Sequence, residues 1–157
     1  MKNLRTPALF VWMILYSLFA PAQHQTVPLN EPDNNKPRLF NNLPDNIPVN
    51  INTLAGLLNA PVGSTISTNL ASDMPFTFEG QVVSAASKYG GSIRSVVIRS
   101  TNFNGARLTL SKITNEDGIS SYTGRIISLQ HGDLYVLQNR DGQFALVKKG
   151  FYDVVNE

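Results

Sequence analysis

Cysteine is absent from this 157-residue chain, histidine occurs twice and tryptophan once. Without a thiol there is no disulfide framework, no cysteine-linked lipid, no thiolate nucleophile and no sulfur ligand for a metal. The two histidines, His24 and His131, are too few for a zinc centre, which gathers several His, Cys or carboxylate ligands, and neither has a partner at ligand spacing. No Gly-x-Ser-x-Gly elbow frames a serine, and no glycine-rich loop leads into a helix to cradle phosphate. Sixteen asparagines include no Asn-x-Ser/Thr acceptor, which argues against N-glycosylation. Long apolar runs are missing too. The longest, Ala8 to Ala20, has thirteen residues, short of the roughly 20 that a membrane-spanning helix needs.

That short run has informative flanks. Lys2 and Arg5 precede it, and Ala20-Pro21-Ala22 follows, with a polar segment opening at Gln23. A basic start, a greasy middle and small residues at the third and first positions before a cut make up a secretory signal peptide, so residues 1–22 are read as one, with Ala20, Ala22 and Gln23 framing the cleavage. The product is expected to be exported, periplasmic or extracellular, with no stable membrane anchor. An exported chain with no cysteine and no glycosylation acceptor points to a bacterial protein.

Removing residues 1–22 removes Lys2 and Arg5, and with them the whole formal charge of +2. What remains carries eleven basic and eleven acidic side chains, so bulk attraction to nucleic acid has no basis. The balance is uneven along the chain. From Gln23 to Glu79 acids outnumber bases five to two, whereas from Gly80 to Lys149 bases outnumber acids nine to four.

Residues 23–50 are dense in proline and asparagine, a composition that blocks regular hydrogen bonding and favours turns. They read as an extended leader, with Leu39-Phe40 and Leu43 as its apolar anchors. Residues 51–157 form the expected single domain. It opens with a short helix near 52–59, capped by Asn52, presenting Leu54, Leu57 and Leu58 on one face and ended by Pro61. From Thr65 the apolar period falls to two, which predicts strands near 65–70, 76–86, 93–102, 106–113, 121–130, 133–139 and 143–149. Gly90-Gly91, Asn104-Gly105, Asp117-Gly118, His131-Gly132 and Asp141-Gly142 fall between them, dipeptides suited to tight turns with positive φ. The intervals leave no room for crossover helices, so the strands must run antiparallel. The fold class is therefore mainly β: an antiparallel meander forming a small sandwich or partly open barrel, with one short N-terminal helix.

Alternation assigns the faces. Phe76 and Phe78, Val96 and Ile98, Leu108 and Leu110, Leu134 and Val136, and Phe144 and Leu146 are the expected buried pairs. The wet face then carries a recurrent basic set, Arg94, Arg99, Arg107, Arg125, Lys148 and Lys149. Adjacent strands lie about 4.8 Å apart, so these side chains can align into a stripe for an acidic polypeptide or an anionic polysaccharide, arginines forking onto carboxylates. Such charges also discourage edge pairing between sheets.

Catalytic chemistry has thinner support. His131 with Asp133 and a distant serine could form a triad, and Glu79, between Phe78 and Gly80, is an acid with apolar sequence neighbours. These two residues define an alternative reading as a small secreted hydrolase. No metal site and no cofactor are expected.

Phe78-Glu79-Gly80-Gln81-Val82, Ser95-Val96-Val97-Ile98, Asn104-Gly105-Ala106-Arg107-Leu108, Tyr122-Thr123-Gly124-Arg125-Ile126 and Gly132-Asp133-Leu134-Tyr135-Val136-Leu137 follow one another in a recurrent order. Over roughly residues 65–149 this order resembles the β-rich propeptides of reprolysin-type zinc metallopeptidases. The resemblance implies a stand-alone propeptide-like module acting on a separate protease. The leading expectation is an exported, non-catalytic binding domain whose partner is an unknown protein or an anionic polysaccharide. The alternatives are the hydrolase above and a structural envelope component.

Overall fold

Eight antiparallel strands make one sheet, and their chain order explains its shape. The computed structural model describes residues 33–155, so residues 1–22 read as a signal peptide, the expected cleavage residues Ala20, Ala22 and Gln23, and His24 lie outside the described residues. The strands are β1 (Asn46–Pro48), β2 (Thr65–Asn69), β3 (Thr77–Lys88), β4 (Ile93–Ser100), β5 (Arg107–Thr114), β6 (Ser120–Ile127), β7 (Asp133–Arg140) and β8 (Gln143–Gly150). From β2 to β8 each pairs with the next, and β1 returns to pair with β8. Just beyond the paired strands Val49 bridges Ala71, so the two ends of the sheet touch at one point and the meander curls into a partly open barrel. Right-handed twist accumulated over eight strands supplies the curl.

One core layer runs in register around the wall: Val82 opposes Ile98, Ile98 opposes Leu108, Leu108 opposes Ile126, and Ile126 opposes Tyr135. All are buried, and they belong to one cluster with Phe40, Ile47, Phe76, Phe78 and Leu146. Helix α1 (Ile51–Leu57) adds Leu54 and Leu57 to that cluster, and Leu58 follows. Its N-cap is Asn50, whose side chain accepts the Asn52 amide, so the cap lies two residues before the asparagine chosen from sequence. Both asparagines suit a cap; Asn50 holds the place because its extended backbone is already joined to Leu70.

Backbone chemistry sets two close approaches. At the hairpin between β7 and β8, Asp141 and Gly142 have φ of 52° and 85°, the two positive values that a tight turn between right-twisted strands demands. Gly80 faces β4 so closely that a Cβ would lie 2.3 Å from the Arg99 carbonyl oxygen. Gly132 departs from expectation. It is not among the positive-φ glycines; its bareness instead admits the Lys36 carbonyl, 3.0 Å from where a Cβ would stand.

Two further departures concern the wall and the leader. In β7 the side chains that join the main core are Tyr135 and Leu137, in register with Ile126 and Leu146, whereas Leu134 is buried outside that cluster and Val136 only half-buried. The run Leu134-Tyr135-Val136-Leu137 is apolar in both phases, so alternation cannot choose and cross-strand register does. The described part of the leader, residues 33–50, enters the fold. Phe40 and Ile47 are fully buried, Asn46–Pro48 is a strand, and a five-residue helix α2 (Phe151–Val155) follows β8.

Candidate functional site

The basic set divides by strand phase. Arg94 and Lys148 each stand two residues from a core position, Val96 and Leu146, so they share the inward face at the ends of their strands. Arg94 donates to the Asn59 side chain. Lys148, its side chain 14 % exposed, donates to the Leu43 carbonyl and lies 3.1 Å from an Asp45 carboxylate oxygen. Both are thus structural cations, removed from the stripe by the same alternation that buries Val96 and Leu146.

Arg99, Arg107, Arg125 and Lys149 are exposed and point outward. Arg99 stands opposite Arg107 across β4–β5, a like-charge pairing that costs stability unless an anion lies between. Arg107 opposes Ile127 and Thr109 opposes Arg125, so the two arginines are diagonal neighbours on β5 and β6. They line a cavity of about 570 Å³ together with Val97, Thr109, Ile127, Leu129, Gln130 and the Gly105 turn. None of those lining residues is acidic, and among the described residues no carboxylate pairs with Arg107 or Arg125. Lys149 borders a different, smaller cavity of about 270 Å³, where Arg38 and Lys148 meet Asp45, Asp133 and Asp153. The stripe is therefore a groove with two guanidinium groups, flanked by Arg99.

The leader meets the barrel on the inward side and at its mouth. Asp133, 3 % exposed, accepts the amides of Leu39 at 2.6 Å and Phe40 at 2.9 Å with its two carboxylate oxygens. The Tyr135 hydroxyl donates to the Pro44 carbonyl, and the Gly132 amide to the Pro37 carbonyl. The Phe40 ring sits 4.9 Å from Tyr135 and 5.5 Å from Phe103, centroid to centroid. Burial raises the Tyr135 hydroxyl above its usual 10.0, and the Asp45 and Asp133 carboxylates push the same way.

This geometry bears on the hydrolase residues. Asp133 spends both oxygens on the leader rather than on orienting His131. The His131 Nδ1 lies 2.7 Å from the Ser128 Oγ, but Ser128 is 1 % exposed, so no substrate carbonyl reaches that oxygen. Glu79 is exposed on the outward phase of β3 and accepts from Ser67 at 3.3 Å. Among the described residues no group of three or more His, Asp or Glu could hold a metal, and no helix is long and apolar enough to cross a membrane.

Sequence reasoning did not single out the aliphatic wall of the groove. Val97 and Ile127 carried a signal: each sits beside a core residue of its own strand, Val96-Val97-Ile98 and Ile126-Ile127, where alternation lapses and both faces are apolar. Leu129 falls within the strand expected near 121–130, but that strand stops at Ile127 and leaves Leu129 in the connecting loop. Compared with known proteins, the chain matches no family model, no curated protein and no solved structure.

Proposed function

We propose that this chain is an exported, non-catalytic binding module that captures an anionic partner on the outer face of its barrel. The observation that carries the reading is the Arg107–Arg125 groove, cationic and without an acidic lining residue, beside the unfavourable Arg99–Arg107 pairing. Exposed arginines without a carboxylate between them keep their guanidinium donors open to a partner, and guanidinium forks bind carboxylates with two parallel hydrogen bonds. Acting in this way on a separate protein, the module would behave as a propeptide does toward its protease. Export is part of the same proposal, and mass measurement of the secreted protein should give a chain beginning at Gln23.

The binding test is retention on immobilised polyglutamate as salt is raised. The purified protein should be held and elute late, and Arg107→Glu with Arg125→Glu should elute with the void at unchanged melting temperature. Equal retention of both forms would remove the reading. Arg94→Ala is the internal control, because its guanidinium is engaged on the other face and its loss should leave retention alone.

A further inference from the structure

We infer that the outer groove selects an extended polypeptide whose groove-facing positions, every second residue, carry carboxylates followed by an aliphatic side chain, and not a polysaccharide. The inference rests on the anion-binding reading above and adds the chemical class of the ligand. Its own support is the apolar half of the groove. Val97, Ile127 and Leu129 line it beside the arginines, and Leu129 is held 71 % exposed, a large aliphatic side chain left in water at the rim of a charged cavity.

Aliphatic walls discriminate between the two kinds of anion. A polyuronate or sulfated glycan surrounds each charge with hydroxyl groups, and pressing these against Val97, Ile127 and Leu129 would strip them of water without offering partners. Sugar C–H faces are commonly met by aromatic rings, and no aromatic residue lines this groove. Polar lining beyond the arginines is confined to Thr109 and Gln130, enough to meet a peptide backbone but few for a hydroxyl-rich chain.

A peptide satisfies both halves at once. In an extended chain, side chains on one side recur about every 6.7 Å, and diagonal positions on adjacent strands are about 7–8 Å apart. Two carboxylates at alternate positions therefore match the Arg107–Arg125 diagonal, and an aliphatic side chain two residues further along, on the same side of the peptide, falls on Ile127 and Leu129. Burying Leu129 under such a side chain removes its exposed apolar surface and dries the adjacent guanidinium bonds, which strengthens them. An anchor of this kind, ringed by charge, is how small interfaces concentrate their affinity.

The test titrates the whole protein, by fluorescence anisotropy or calorimetry, with three probes: an alternating hexapeptide with aspartate at its first and third positions, leucine at its fifth and serine between them, hexa-aspartate, and polygalacturonate. The alternating peptide should bind at least tenfold more tightly than hexa-aspartate, and polygalacturonate more weakly than either. Leu129→Ser should erase the gap between the two peptides while leaving hexa-aspartate binding in place, and Arg125→Glu should abolish both. If hexa-aspartate equals the alternating peptide the aliphatic requirement falls, and if polygalacturonate equals it the polypeptide class falls; in either case the anion-binding face stands so long as Arg125→Glu still abolishes binding. If no probe depends on Arg107 and Arg125, both fall. Leu129 is exposed and its replacement should not unfold the barrel; an unchanged thermal transition accompanies each variant as the check.

Discussion

The leader clamp and the outer groove both gather polar side chains and use them in opposite ways. At the clamp every polar group is committed: Asp133 to two backbone amides, Tyr135 to Pro44, Lys148 to Leu43 and Asp45. In the groove, Arg107 and Arg125 face solvent with no carboxylate opposite. The contrast separates groups that hold the fold from groups available to a partner. Burial is the physical divider, since an enclosed polar atom must be satisfied internally or it destabilises the fold.

The contrast breaks most severely at Phe40. Its ring is fully buried between Phe103 and Tyr135, so Phe40→Ala should cost about 3–5 kcal/mol in urea unfolding. Retention on polyglutamate, measured where the variant is still folded, should stay as it was. A parallel loss of both would show that the two regions are not independent.

Asp133→Ala comes next. It leaves the Leu39 and Phe40 amides without their acceptors at a buried site, and about 2–3 kcal/mol should be lost. The substitution also tests the catalytic alternative: any hydrolysis by the purified protein should be insensitive to it if Asp133 serves the leader alone.

Tyr135 sharpens the comparison through pH. Its hydroxyl loses its proton less readily folded than unfolded, so the native state retains a proton that the unfolded chain gives up. Its contribution is fully present below pH 10.0 and declines as pH rises through the higher folded value. Stability should therefore fall above pH 10, and Tyr135→Phe should flatten that slope after an initial loss of about 1 kcal/mol for the hydrogen bond to Pro44. Ultraviolet titration should show Tyr135 ionising late, as a component lost in Tyr135→Phe.

The smallest effect belongs to the groove. Arg107→Glu with Arg125→Glu should change stability by no more than about 0.5 kcal/mol while removing retention on polyglutamate. A large destabilisation would place these arginines with the clamp residues and undo the distinction.

Much of this architecture was legible as pattern. The seven strands from β2 to β8 follow period-two runs between turn dipeptides, and the outward phase of Arg99, Arg107 and Arg125 follows from core neighbours one residue away. Three features were not. β1 has three residues and contains Pro48, too little for a period to register. Asp133 looks like a turn acid beside Gly132, and only the approach of Leu39 and Phe40, more than ninety residues away in sequence, gives it a role. Leu129 is an unremarked loop leucine until Arg107 and Arg125 are beside it.

The sequence by itself determined the antiparallel meander, because alternation and turn chemistry are local properties that each segment carries alone. It also determined which arginines face outward, since phase follows from the nearest buried neighbours. Only the tertiary structure decided which partners engage Arg94 and Lys148 on the interior face, that the proline-rich leader is clamped into the barrel, and that two arginines share one groove with Leu129. Those outcomes depend on curvature and on contacts between distant residues. Local pattern has no knowledge of either, because closing the sheet is a property of all eight strands together.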